Sequence, residues 1–137
     1  MSKPRYNWWP FVLGMIRDFK EMDAKHKSIP LEEIPEGLNK AAIMWRQEER
    51  ELNAVRRALE QQEKMSNAEL RKSIVNHTLI SRTYNIDGAA LRLNSSPEIV
   101  KRYRWQFIML VGTVFGLLSP EEYETMVRYE YGNLRGK

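Results

Sequence analysis

Between positions 71 and 104 lies a set of side chains of the kinds that contact nucleic acid. Arg102 carries a planar fork able to make a bidentate contact to guanine, Glu98 can accept from the amino group of cytosine, and Lys101 and Arg104 are cations suited to phosphates. On a helix beginning at Ser96, residues Ser96, Glu98, Lys101 and Arg102 fall on its outward side near its start, where backbone N–H groups also favour a phosphate. Arg92, Arg82, Lys72 and Arg71 upstream would add backbone contacts that fix register without reading sequence. Residues 71–104 hold seven Lys or Arg against Asp87 and Glu98, an excess of +5, whereas the rest of the chain holds fifteen basic and sixteen acidic residues. The positive charge is therefore concentrated here, and a polyanion is the partner it favours.

Two helices and a tight turn would have to position these groups. Asn85 reads as the cap of a short first helix with Ala89 and Ala90 midway, small enough for a second helix to cross close by. Ser96 and Pro97 open the second helix as N-cap and first helical residue. Its inward stripe is Val100, Tyr103, Phe107, Leu110 and Val114, closing a small core with Leu93, and its outward stripe is Glu98, Lys101, Arg102 and Trp105. The order small, apolar, turn, apolar, apolar from Thr83 to Leu118 resembles the helix-turn-helix of region 4 of the bacterial sigma-70 family. The wider run from Leu70 to Gly116, ending in Phe-Gly-Leu-Leu, is similar to the C-terminal part of small phage and prophage regulators of the RinA and ArpU kind. The sequence departs from that pattern at Ser95, where an apolar turn residue is usual, and in the long apolar tail of the second helix. The resemblance implies a transcriptional regulator that binds double-stranded DNA and meets RNA polymerase or another protein.

The remainder of the chain reads as all-α: a small helical domain with an N-terminal aromatic helix and a long central helix. Asn7 is placed to cap a first helix through Phe19, whose face of Trp8, Trp9, Val12, Met15, Ile16 and Phe19 recurs at helical spacing. From Glu21 to Gly37 the period fails and Ile29-Pro30 and Ile34-Pro35 appear, which reads as a linker. A long helix from about Leu38 to Met65 follows, its apolar stripe interrupted by Glu48 and Glu49, either packed within the chain or forming a dimer seam. Ser66-Asn67-Ala68-Glu69 has the form of a capping box for a helix to about Ser81. A second box, Ser119-Pro120-Glu121-Glu122, opens a last helix that Gly132 should end. These boundaries divide the chain into an N-terminal helical region, residues 1–65, and a helix-turn-helix domain, residues 66–137.

Several functions are disfavoured by what is missing. The chain has no Cys, hence no disulfide, thiolate metal site or thiol nucleophile, and a cytoplasmic protein is the default. Its two histidines are far apart, His26 in the expected linker and His77 on a helix face, without metal-ligand spacing. Glu48, Glu49 and Glu51 alternate with Arg46 and Arg50 as surface ion pairs do, so no catalytic constellation, metal or cofactor is expected. Trp105–Leu118 is too short to span a bilayer, and Gly112 and Gly116 within it are read as permitting a close helix crossing. Trp105 and Met109 continue the outward stripe and need cover, either from the Trp8 and Trp9 helix or from a second copy of the chain. Trp8, Trp9, Trp105 and Met109 are thus the candidate partner-binding residues. They support the alternative to DNA binding, a non-enzymatic protein-binding adaptor or inhibitor of a host nucleic-acid machine.

Overall fold

The computed structural model describes the backbone of residues 6–135 and the side chains of residues 6–129. The described residues form six α-helices and no strand: α1 (Trp9–Ser28), α2 (Lys40–Gln62), α3 (Ala68–Val75), α4 (Ile86–Arg92), α5 (Pro97–Phe115) and α6 (Pro120–Arg135). None of them is long and apolar enough to cross a membrane.

Local signals set many of the helix ends. Asn39 Oδ1 accepts from Ala42 N at 2.9 Å, Asn85 Oδ1 from Gly88 N at 2.7 Å and Ser96 Oγ from Ile99 N at 3.2 Å, each satisfying an orphan donor of a first turn. The box at Ser119 is reciprocal: Glu122 N donates to Ser119 Oγ and Ser119 N to Glu122 Oε1. Two expected caps are not made. Trp8, not Asn7, precedes α1 and no side chain caps it. The box at Ser66 does not form either: Asn67, left-handed at φ 56, precedes α3 with no side-chain cap bond, and its amide donates to the Tyr103 hydroxyl at 2.9 Å. Gly132 does not end the last helix, which continues to Arg135, and Tyr131 lies outside the described side chains.

The expected linker begins late, because α1 runs on to Ser28. Its charged second half is held by α2 rather than by its own periodicity: Asp23 receives Arg56 at 2.7 Å, and the His26 ring stacks on Trp45 with centroids 3.6 Å apart. The His26 nitrogens face Glu48 at 2.8 Å and Glu49, and the ring can donate to both carboxylates only as imidazolium. Those two glutamates, which break the apolar stripe of α2, are thus its clasp on α1. The hydrogen bond from His26 holds the Glu48 carboxyl below the usual range, against a smaller opposing effect of burial and with help from Lys25. At Asp23 burial alone would raise the pKa, but Arg56 and Lys27 outweigh it and the carboxyl sits low. Only Ile29–Asn39, with a short turn at Leu31–Glu33, remains as connection.

Three apolar clusters pack on α5. Val12, Met15 and Ile16 of α1, Ala54, Val55 and Ala58 of α2, and Val75 and Leu79 meet Phe107, Ile108, Leu110 and Val111. Residues on both sides of position 65 therefore share one core. Ile74, Ala89, Ala90, Val100 and Tyr103 form a second cluster. The third joins Trp105, Met109 and Leu118 to Trp8, Trp9, Tyr123, Met126 and Val127. Gly112 lies under this aromatic collar: a Cβ there would meet the Trp8 ring at 2.9 Å, so the close approach its spacing suggests is to an indole rather than to a helix backbone. Gly116 serves differently, as the left-handed residue ending α5, φ 102, with Leu117 N donating to Gly112 O at 2.8 Å.

Candidate nucleic-acid interface

The helices α3, α4 and α5 meet around Ala89 and Ala90, which are 0% and 3% exposed. A larger side chain at either position would separate α4 from α5. The turn between them, Leu93 to Ser96, closes through Ser95 N donating to Ala90 O at 2.8 Å and Asn94 N to Leu91 O at 3.3 Å, with Asn94 left-handed at φ 54. This is the pairing of a Schellman stop, and Asn tolerates the conformation it requires. Because the turn is fixed by backbone bonds, it accepts a polar residue at Ser95.

On the outer side of this unit Ser96, Glu98, Lys101, Arg92, Arg82 and Lys72 are exposed, and Arg102 is half-buried. Among the described residues none of Lys72, Arg82, Arg92 and Lys101 is engaged in an ion pair, so their charge is directed to solvent. Arg92 leans over the Tyr84 ring at 5.7 Å. Glu98, Lys101 and Arg102 share one helical face at i, i+3 and i+4.

Two expected phosphate contacts are used inside the protein instead. Arg71 donates to Ser66 O and to Gln106 Oε1, both at 2.7 Å, with its guanidinium 4.0 Å from the centre of the Tyr103 ring. Burial draws its pKa down from the ordinary arginine value. Arg104 donates from Nε to Thr78 Oγ1 at 3.1 Å, and Thr78 in turn donates to Ile74 O at 2.6 Å. It ties α5 to the wide helical turn Asn76–Ile80 that follows α3, and burial lowers its pKa as well. Both guanidiniums are therefore already engaged within the protein. Gln106, 8% exposed and holding Arg71, is legible as the one amide in an apolar run, since a buried amide needs a polar partner. His77 is half-buried, as its helix position suggests.

Half of the expected partner surface is interior. Trp105 and Met109 are 1% and 0% exposed, covered by Leu118, by α6 and by Trp8 and Trp9. Of the two covers that the sequence offers, the N-terminal aromatic residues supply one side, and α6, at which the sequence does not hint, supplies the other. Trp8 and Trp9 are half-buried, with Trp8 stacked on Tyr6 at 4.8 Å. Among the described residues no group of three or more His, Cys, Asp or Glu side chains is placed to hold a metal ion. Comparison with protein-family models, with curated proteins and with solved structures gives no match for this chain.

Proposed function

We propose that this protein is a DNA-binding transcriptional regulator, of the sigma region 4-like helix-turn-helix type and of phage or prophage origin, that enters the major groove with the start of α5. The observation that carries the reading is the exposed charge of Lys72, Arg82, Arg92 and Lys101, in no ion pair among the described residues, at the outer side of a tightly crossed α4 and α5. The usable part of α5 is short. From Trp105 to Gly112 the helix is buried, so only Ser96 to Arg102, roughly 10 Å of axis at 1.5 Å per residue, can reach base edges. Helix-turn-helix proteins read bases with the N-terminal residues of the second helix, and this length suffices. Arg102 and Glu98 are the residues for bases, Lys101, Arg92, Arg82 and Lys72 those for phosphates. Selection of bound duplexes from a random pool, followed by titration of the recovered site at two salt concentrations, tests the proposal. Salt-dependent binding with no preferred sequence would remove the reading role of α5.

A further inference from the structure

The second half of α2 lies against α5, but the first half runs past it. The two helices are antiparallel: Arg50 lies over the Phe115 ring at 5.1 Å, while Gln61 and Met65 share a hollow with Leu110 and Thr113. Phe115 ends α5, so residues 40–49 of α2 project beyond it. On one side α1 covers this projecting half, through His26 stacked on Trp45 and facing Glu48 and Glu49. Another side is open. Lys40, Met44, Gln47 and Glu51 follow one another at helical spacing, and the same stripe continues into Ala54 and Ala58, which the core buries. In the open part Ile43 and Met44 are each 52% exposed, and Leu38, just ahead of the Asn39 cap, is 87% exposed. Where the open part meets α5 there is a hollow of about 480 Å³, with Arg50 and Arg57 at its rim and half-buried Val114 and Phe115 in its wall. Arg50 is two turns on from Ile43 and so stands on the same side of α2.

We infer that the open half of α2 packs antiparallel against the same half of α2 in a second copy of this chain. Charge argues for that occupant. Lys40 and Glu51 stand at opposite ends of the open stripe, and neither is in an ion pair among the described residues; Glu51 accepts from the neutral Gln47 amide at 2.9 Å. A surface with a cation at one end and an anion at the other complements itself when turned end for end about a two-fold axis. In the register that sets Lys40 against Glu51 of the second copy, Met44 falls opposite its Gln47 and Leu38 comes about level with its Asn53, which borders the hollow beside Val114 and Phe115. Glu33 and Glu36 of the connection, also in no ion pair among the described residues, then approach the rim of Arg50 and Arg57. One rotation thus gives the exposed leucine an apolar wall and each of these charges an opposite one. The contact spans few helical turns, at the small end of specific interfaces, so the dimer should be weak and concentration-dependent. It lies at the opposite end of α5 from Ser96–Arg102 and does not depend on the DNA-binding reading.

Sedimentation of the full chain over about a hundredfold range of concentration should show a monomer–dimer equilibrium. Lys40→Glu alone and Glu51→Lys alone each set like charges face to face twice per dimer, and each should weaken association by about tenfold or more. Mixed one to one, the two variants should associate at least as well as the parent, because one copy then presents two anions to the other's two cations. Leu38→Ser should weaken association without any change of charge. Lys40 and Leu38 are exposed, so their variants should melt like the parent under conditions where both are monomers. Glu51 is half-buried; should Glu51→Lys disturb the fold by circular dichroism, Lys40→Glu and Leu38→Ser still decide. The inference is overturned by a chain that stays monomeric at its highest soluble concentration, by open-ended growth beyond the dimer, or by a dimer indifferent to Lys40→Glu or to Leu38→Ser. It is also overturned if two folded charge variants do not associate on mixing, since the helices do not then meet in antiparallel register.

Discussion

The two ends of α5 obey different rules although they belong to one uninterrupted helix. Its first turns, Pro97 to Arg102, are amphipathic: Val100 is buried and Glu98 and Lys101 are exposed. From Trp105 to Gly112 every residue is buried, as is expected of a helix enclosed by neighbours on all sides. The first end presents charge to solvent, and the second is the post on which α1, α2 and α6 are assembled. Residues one turn apart on the same stripe, such as Lys101 and Trp105, therefore have opposite duties. Their substitutions should separate cleanly.

The largest effect is expected at the buried end. Trp105→Ala should cost about 3–5 kcal/mol, the range for deleting a large aromatic from a core. Chemical denaturation would show it as a large fall in midpoint. A Trp105→Ala protein as stable as the parent would mean that the indole is not enclosed by α6 and the N-terminal aromatics, and the contrast between the two ends would fail.

At the junction between the ends, Ala90→Leu should destabilise by roughly 1–3 kcal/mol, because added volume at a close crossing forces strain. Duplex DNA binding should fall in parallel, since the spacing of α4 from α5 sets where Lys101 and Arg92 stand. A melt unchanged by Ala90→Leu would place Ala90 away from the crossing.

A third expectation concerns the clasp of α1 on α2. Glu48 and Asp23 have pKa values below their ordinary 4.5 and 3.8, so each contributes stability that is fully present above its unfolded pKa. That contribution disappears as pH falls through the lower folded values, when protonation breaks the contacts to His26 and Arg56. His26→Gln removes the principal cause of the Glu48 shift, and thermal melts between neutral pH and about pH 3 should then show a shallower acid dependence than the parent. An unaltered slope would mean that His26 does not hold Glu48 low.

These contrasts also mark what the sequence can convey. The caps at Asn85, Ser96 and Ser119 are local, their partners only three residues away, and they are legible. The continuation of α1 to Ser28 is not, because its contacts are to residues more than twenty positions on, Asp23 to Arg56 and His26 to Glu48. Ser66 and Glu69 have the letters of a capping box, yet Asn67 precedes α3 instead, held by a bond to Tyr103, thirty-six residues away. The inward stripe of α5 follows from a 3.6-residue period, whereas that same period sends Trp105 and Met109 outward, because a helix apolar on all sides has no period to read. Arg71 and Arg104 illustrate the same limit for the site: charge concentration names basic residues, and only tertiary contacts show which of them are already used.

The last prediction concerns the exposed end, where the effect on stability should be smallest and the effect on function most specific. Lys101 is exposed and in no ion pair among the described residues, so Lys101→Ala should leave the melt unchanged. If it contacts a phosphate, its removal should weaken binding to all duplexes alike and reduce the slope of log K against log salt by about 0.9, the share of one neutralised phosphate. Arg102→Ala should behave differently. Taking away a bidentate hydrogen-bond pair to guanine costs about 1–3 kcal/mol on the preferred site and much less on scrambled duplex, relaxing specificity at one base position. Arg102 is half-buried, so its variant must first be shown folded by circular dichroism. Titrating both variants on preferred and scrambled DNA at two salt concentrations separates a residue that reads from one that holds. Equal, small reductions for both variants on both DNAs would mean that the start of α5 supplies charge without readout, and the contrast between its two ends would then be one of burial alone.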